Sequence, residues 1–340
     1  MQLSVLDLAP IASGSDATTA LRRVSELARH AEALGYHRFW LAEHHGLPSI
    51  ASAAPEILIE HVASRTERIR VGSGGVMLPN HAPLAVAERY LTLEALHPGR
   101  IDLGVGRAAG TTPVTAHALR SADPQEYPQQ LREVMAFARG HFPDTHPYAA
   151  IDVVPSGIPL PPMWLLGSSG GSAELAGRVG AGYAFAHHFS PTPAEPALRR
   201  YRESFVPSAH FPEPRVMLAV SVFCAETTAE AERLASATGL MFVRLRTGNP
   251  GPIPSPEEAA EHPLSALEKR FVQPILDLQV VGDPATVKGR LQAIADRTGA
   301  DELMISTVMH DPEARLRSYQ LVAEAFGTAE RPGSERSTVV

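Results

Sequence analysis

The sequence has little cysteine, no excess of basic residues and no long apolar run. Cys224 is the single cysteine among 340 residues, which excludes an intrachain disulfide and a multi-cysteine metal site. Lysine and arginine total 30 against 37 acidic residues, and no basic stripe of the kind that binds nucleic acid is present. No run of about 18 apolar residues and no signal peptide are found, so we expect a cytoplasmic protein without a membrane span.

Apolar segments typical of buried strands alternate with helical segments along most of the chain. The strands are predicted at residues 3–10, 39–43, 69–78, 101–106, 163–167, 183–186, 216–223 and 302–308. Eight strands with intervening helices favour an α/β fold, specifically a closed (β/α)₈ (TIM) barrel, over an open sheet. Because no shift in composition divides the chain, one domain is expected over residues 1–328, followed by a flexible tail at 329–340.

Two connections are too long for simple βα loops. They are the insertions after strands four and seven, at residues 107–162 and 225–302. Both follow the carboxyl ends of strands, where barrel enzymes carry their active sites, so they are predicted to be lids. A spacer or a disordered segment is the alternative. The prolines and glycines of residues 247–256 exclude a helix or strand there.

The segment 39–45, Phe-Trp-Leu-Ala-Glu-His-His, is an apolar run that ends in a carboxylate and two imidazoles. It predicts a strand whose carboxyl end opens into a site, with Glu43 and His44 as candidate catalytic residues; a simple loop start is the alternative. Strand six ends in a second pair, His187-His188. Adjacent strand residues point to opposite faces and chelate poorly, so no metal is expected.

Glycines are concentrated near the ends of strands three and four, at positions 72, 74, 75, 104 and 106. A strand that lacks side chains allows a flat ligand to approach the backbone, which predicts a planar ligand at this point. Bulges that fit the curvature of the barrel are the alternative.

Residues 164–175 run from a strand through a Gly/Ser loop directly into a helix. The free amides of a helix start favour an anion, most often a phosphate, although a plain helix cap is the alternative. Arg107 follows strand four and is a candidate for a second phosphate contact. The loop residues predicted to bind the cofactor are Ser168, Ser169, Gly170 and Ser172. No phosphate loop of the Gly-Lys-Ser/Thr type and no dinucleotide fingerprint is present.

Four segments occur in the order and spacing typical of one family: residues 39–45, 71–79, 99–107 and 164–170. Together they resemble the bacterial luciferase-like flavin-dependent monooxygenases, most closely the single-subunit, non-luminescent branch. The resemblance covers residues 1–325. It implies the barrel, flavin mononucleotide (FMN) as cofactor and dioxygen as co-substrate.

The resemblance also implies roles for individual residues. His44 matches the catalytic histidine near the flavin ring, and Glu43 matches another residue that neighbours the ring. The pair Gly74–Gly75, also expected to contact the cofactor, matches a non-proline cis peptide. The residues that match phosphate contacts are Arg107, Ser169 and Ser172. One departure is Gly106, because luciferases carry a reactive cysteine on this strand.

The predicted function is therefore oxidation of a small organic substrate by a monooxygenase that uses reduced FMN and dioxygen. Because no nicotinamide-binding fingerprint is present, a separate flavin reductase is expected to supply the reduced flavin. A homodimer is expected through the helices after strands two and three. Alanines at positions 51, 53, 54 and 63 would allow helices to approach closely, and the resemblance implies dimerisation because the family commonly dimerises through these helices. The alternatives are a deazaflavin-dependent hydride-transfer oxidoreductase and a non-catalytic flavin-binding protein.

Overall fold

The computed structural model describes residues 1–328; the predicted tail at 329–340 lies outside them. Ten strands are formed in this part of the chain: β1 (Gln2–Asp7), β2 (Arg38–Leu41), β3 (Arg70–Ser73), β4 (Val76–Met77), β5 (Ile101–Gly106), β6 (Met163–Gly167), β7 (Gly182–Phe185), β8 (Val216–Cys224), β9 (Val280–Gly282) and β10 (Glu302–Ser306). Eight of them pair in parallel in the order β10-β1-β2-β3-β5-β6-β7-β8, and β8 pairs with β10. This closes the predicted eight-stranded barrel.

The barrel is surrounded by helices. They are α1 (Ala17–Ala33), α2 (Pro55–Ala63), α3 (Pro83–Leu96), α4 (Pro113–Ala118), α5 (Tyr127–Arg139), α6 (Gly170–Arg178), α7 (Ala194–Ser204), α8 (Thr228–Ala235), α9 (Ala237–Arg246), α10 (Pro256–Glu261), α11 (Ala266–Leu276), α12 (Pro284–Thr298) and α13 (Pro312–Phe326). Local sequence fixes several starts: the Asp16 carboxylate accepts from the Thr19 amide at 2.7 Å and caps α1. None of the helices within residues 1–328 has both the length and the apolar character that crossing a bilayer requires.

Both long insertions contain helices, so the alternative of a disordered segment is wrong for most of their length, and their predicted role as lids stays a prediction. The insertion at 107–162 contains α4 and α5, and the insertion at 225–302 contains α8 to α12 together with β9. β9 extends the sheet by pairing with the end of β8, outside the ring of eight. Residues 247–255 form neither helix nor strand, as their prolines and glycines predicted, whereas Pro256, the last residue of that predicted segment, begins α10. Ile253 makes only an isolated bridge to Ala12.

Successive side chains of a strand point to opposite faces of the sheet, so the residues of each barrel strand pack alternately into two different layers. Phe39 and Leu41 of β2 point outward into the core between barrel and helices. Trp40 points inward, where its ring meets Trp164 edge-on with centroids 5.8 Å apart. Apolar residues on both faces make these strands continuous hydrophobic runs in the sequence, which is why they were predictable.

A buried ionic network closes the amino end of the barrel interior; we call it the barrel floor, formed by Arg38, Arg70, Asp102 and Glu302. Arg38 donates from Nη1 to Asp102 at 2.6 Å and from Nε to Glu302 at 2.7 Å. Arg70 donates to the other Asp102 oxygen at 2.6 Å. Burial alone raises the pKa of Asp102, but the two guanidinium groups outweigh it and lower the pKa. The network therefore pairs two buried carboxylates with two cations.

Candidate active site

A cavity of about 280 Å³ opens at the carboxyl ends of the barrel strands. Its volume is near the lower limit of ordinary ligand pockets. Six of the nine residues predicted for the site line it: His44, Gly74, Arg107, Ser168, Ser169 and Ser172. The structure thus brings together elements that are far apart in sequence. The three predicted residues outside the lining are Glu43, Gly75 and Gly170.

His44 follows β2 and reaches the cavity wall. The Gly110 carbonyl oxygen lies 3.1 Å from His44 Nδ1, and a carbonyl only accepts, so Nδ1 carries the hydrogen. Nε2 then holds a lone pair, and it has no hydrogen-bond partner among the described residues. Burial lowers the pKa of His44 below its ordinary value, more than the Gly110 contact and Glu43 raise it. The imidazole is therefore neutral at pH 7 and can accept a proton.

Glu43 is fully buried beneath the cavity rather than exposed in it. His45 Nε2 lies 2.8 Å from one carboxylate oxygen, and His81 Nε2 lies 3.0 Å from both. The Met77 amide and the Asn80 side chain donate at 2.8 and 3.1 Å. Burial would raise the pKa of Glu43, but the hydrogen bonds from His81, His45 and the Met77 amide lower it overall. The carboxylate thus fastens the end of β2 to the segment after β4. Its predicted catalytic role stays a prediction.

The Gly/Ser loop after β6 leads directly into α6, as the sequence predicted, and the first helical residue is Gly170. Ser169 stands at the cap position, yet no side chain accepts a hydrogen bond from the first amides of the helix. Ser172 instead donates to the Ser169 carbonyl at 2.9 Å. The alternative of a plain side-chain cap is therefore not what the structure shows, and the helix start remains open to an anion.

Arg107 lies just past β5 and lines the same cavity as Ser169 and Ser172. It makes no ion pair with any residue of the described chain. A guanidinium beside a helix start is a favourable environment for a phosphate, because both supply donors to the same anion. The structure therefore places Arg107, Ser169 and Ser172 on one cavity, and their predicted contact with a phosphate stays a prediction.

The glycines of β3 and β5 serve mainly the packing of the barrel. A Cβ atom added at Gly72 would lie 2.6 Å from the Asp102 carbonyl oxygen, and one at Gly75 would lie 2.7 Å from that of Gly104. Protein backbone atoms, rather than open space for a ligand, therefore lie next to these two glycines. The peptide between Gly74 and Gly75 is cis, as the resemblance predicted. The glycines that do line the cavity are Gly74, Gly106, Gly110 and Gly167.

One polar residue of the cavity, His188, was not predicted from the sequence. It follows β7 and was weighed only as a metal ligand, together with His187. The structure separates the members of both histidine pairs: His44 and His188 line the cavity, whereas His45 contacts Glu43. The signal that identifies His188 is its place just beyond a strand's carboxyl end, the same signal that identified His44.

The remaining lining is mostly apolar. It comes from the inner layer of the barrel and includes Leu6, Trp40, Met217, Ala219 and Met304. An apolar inner layer with a few polar groups in the lining suits a mainly apolar ligand with a charged end.

Comparisons with known proteins agree with this geometry. Residues 1–302 match the family model described as luciferase-like monooxygenase. A luciferase-like monooxygenase of Escherichia coli (strain K12) is 43% identical over 324 residues, covering 94% of this chain and 96% of that protein. The N-acetyl-S-alkylcysteine monooxygenase of Bacillus subtilis (strain 168) is 35% identical, covering 97% of this chain and 100% of that protein. The crystal structure of apo-MsnO8 has a TM-score of 0.89 at 41% identity, covering 97% of this chain and 98% of that chain.

The barrel, its cavity and these likenesses define an oxidoreductase of the monooxygenase type. The chain belongs to the luciferase-like monooxygenase family. The predicted resemblance and the predicted fold class are both confirmed.

Proposed function

We propose that this protein is a flavin-dependent monooxygenase that uses reduced FMN and dioxygen to oxidise a small organic substrate. The observation that carries the proposal is a single cavity joining an uncapped helix start and Arg107 to a neutral imidazole, His44. When bound, the flavin supplies the oxygen chemistry. The protein binds and orients it, excludes water and handles protons.

The chain's own groups divide these tasks. Arg107, Ser169 and the first amides of α6 would hold the phosphate, and the apolar inner layer would receive the ring. His44 Nε2 would accept or return a proton beside the reacting atoms, because its neutral form is the stable one at pH 7. Glu43 would keep His44 in place through the network with His45 and His81 rather than touch the substrate.

The substrate is proposed to be small and mainly apolar, in keeping with the inner layer of the cavity. An N-acetyl-S-alkylcysteine is the first compound to test, since a 35% identical relative is named for oxidising this class.

A separate reductase is proposed to deliver the reduced flavin, because no nicotinamide-binding fingerprint is found in the sequence. The test mixes the purified protein with FMN and NADH or NADPH under anaerobic conditions. We expect the flavin to stay oxidised until an unrelated flavin reductase is added. Rapid stoichiometric bleaching without a reductase would contradict this supply of electrons. Failure to bind FMN, together with binding of a reduced deazaflavin, would instead favour the hydride-transfer alternative.

A homodimer through α2 and α3 is proposed from an exposed apolar surface. Ile57 on α2 is 70% exposed, Leu96 at the end of α3 is 60% exposed, and Val154 beside the groove between these helices is 66% exposed. Ala63, one of the alanines that suggested the dimer, is buried in the core instead and does not contribute to this surface. Exposed apolar residues along one groove are typical of an interface.

We expect sedimentation at micromolar concentration to give a dimer for the wild type and a monomer for Ile57→Lys. A lysine at the centre of the interface would bury a charge without a partner. Phe271→Lys is the matched control, because Phe271 is 58% exposed on α11, away from this groove. A wild-type monomer, or an unchanged mass for Ile57→Lys, would refute the interface.

A further inference from the structure

Three thioether side chains line the cavity, those of Met77, Met217 and Met304. The whole sequence contains eight methionines, so this one site holds a large share of them. Met217 and Met304 belong to the inner layer of the barrel and are 0% and 2% exposed. Met77, the last residue of β4, is only partly buried. Of the three, Met77 is therefore the most accessible to a small molecule in the cavity.

The side chain of Met77 lies against two glycines of the cavity wall. A Cβ atom added at Gly106 would lie 3.0 Å from the Met77 sulfur, and one added at Gly110 would lie 3.1 Å from Met77 Cγ. Both glycines line the cavity, and neither has a side chain that could cover the thioether. The Gly110 carbonyl oxygen is also the group that lies 3.1 Å from His44 Nδ1. The thioether is thus next to the residue that holds the proposed catalytic imidazole.

A thioether at this place is exposed to the chemistry of the proposed reaction. Two-electron oxidants such as peroxides convert methionine into methionine sulfoxide. The proposed function forms peroxide in this cavity whenever dioxygen takes two electrons from the reduced flavin and no organic substrate consumes the oxygen. The single cysteine, Cys224, is buried outside the cavity lining and does not compete for the oxidant.

We propose that Met77 is a modification site at which the enzyme oxidises itself: peroxide formed in the cavity converts the Met77 thioether into the sulfoxide. The sulfur gives two electrons, and an S–O bond forms as the O–O bond of the peroxide breaks. The transferred oxygen loses its proton, and the other oxygen takes up that proton and leaves as water. The inference rests on the proposed function, which supplies the peroxide.

The modification changes the wall beside His44. A sulfoxide oxygen is polar and brings no donor, and it would stand in a mainly apolar wall next to the Gly110 carbonyl, which is also an acceptor. The contact between Gly110 and His44 should therefore weaken, and turnover should slow. Methionine sulfoxide reductases reverse this oxidation, so the loss of activity should be reversible.

The test follows the methionines by peptide mass spectrometry. In the turnover arm, the protein receives FMN, NADH, an unrelated flavin reductase and dioxygen, without organic substrate. Catalase is present to destroy any peroxide that has left the protein. In the second arm, the protein receives hydrogen peroxide alone. Met135 on α5 is the matched control, because it is also partly buried and does not line the cavity.

We expect the ratio of Met77 sulfoxide to Met135 sulfoxide to be about tenfold or more higher in the turnover arm than with added peroxide. Activity, measured with the substrate that supports wild-type turnover, should fall in parallel with Met77 oxidation and return after treatment with methionine sulfoxide reductases. Met77→Leu, a swap of similar volume, should retain its own initial rate at least about threefold longer. Met135→Leu should lose activity as fast as the wild type.

The same ratio in both arms would overturn the inference, because the oxidant would then come from solution. Unmodified Met77 after turnover in which FMN is bound and oxygen is consumed would overturn it as well. A Met77→Leu variant that loses activity as fast as the wild type would refute the effect of this residue on turnover. Titration of FMN by fluorescence tests the proposed function separately: without FMN binding, the proposed function itself fails. The two failures are therefore distinguishable.

Discussion

Replacing His44 by alanine is expected to lower the rate of substrate oxidation about 10²- to 10⁴-fold, the usual contribution of a general acid or base. FMN affinity should change less than about threefold, because the phosphate and inner-layer contacts remain. Reducing equivalents that no longer reach the substrate should appear as hydrogen peroxide. The measurement is product and peroxide formed per reduced FMN in single turnovers, with the substrate that supports wild-type turnover.

The dependence of activity on pH distinguishes a role of His44 in proton transfer from a role in packing. The pKa of His44 is lowered and the neutral form is required, so wild-type activity should be full at neutral pH. It should fall only as the pH drops below the ordinary histidine range near 6.5. This acid limb should vanish in His44→Ala. His44→Gln keeps an acceptor near Nε2 but cannot take up the proton, so it should stay slow. His141→Ala, on an exposed loop, is the control. Wild-type rates in His44→Ala would refute the role of His44.

Introducing aspartate at Ser169 and alanine at Gly170 is expected to weaken FMN binding about a hundredfold or more. The new carboxylate would stand at the helix start, where it repels the phosphate and occupies the free amides. Charge-assisted hydrogen bonds contribute about 1.5–3 kcal/mol each, and about 1.4 kcal/mol is tenfold in affinity. Fluorescence titration of oxidised FMN measures the effect.

Riboflavin provides an internal control, because it has the same ring and no phosphate. Its affinity should be similar in the wild type and the double variant. Ser265→Asp, at the exposed cap of α11, makes the same charge change away from the cavity and should bind FMN normally. An unchanged FMN affinity in the double variant, or an equal loss for riboflavin, would contradict the phosphate site.

The positions of the eight barrel strands were predictable because parallel strands buried on both faces are continuous apolar runs. Their ends were less predictable. Strand two was expected to reach Glu43 but ends at Leu41, since Glu43 turns away to meet His81, a partner distant in sequence. Strand three was expected to be continuous and is broken at Gly74–Gly75.

The helices of the second insertion were missed, although their starts have local signals. Ser255 and Ser265 each cap a helix and pair reciprocally with a glutamate three residues later. This capping box is readable from sequence. The proline- and glycine-rich segment next to α10 obscured it, because the whole connection was interpreted as a loop.

The candidate site was predictable where strand ends carry polar residues, as for His44 and Arg107. The site was not predictable where the role of a residue depends on the side chains and backbone groups that surround it in the folded protein. Nothing in the order of residues shows that Glu43 is enclosed by donors while His188 Nδ1 is buried without a partner among the described residues. Both facts depend on contacts between distant elements.

The barrel floor determines the order in which ligands can bind and dissociate. Arg38 and Asp102 close the interior at its amino end, and Trp40 and Met304 fill the layer above them. Within residues 1–328 these side chains close the cavity on its amino side, so it opens at the carboxyl ends of the strands. A ligand seated against the inner layer must arrive before, and depart after, any ligand bound nearer the rim. Steady-state kinetics should accordingly follow a compulsory order, with the deeper-bound ligand first on and last off.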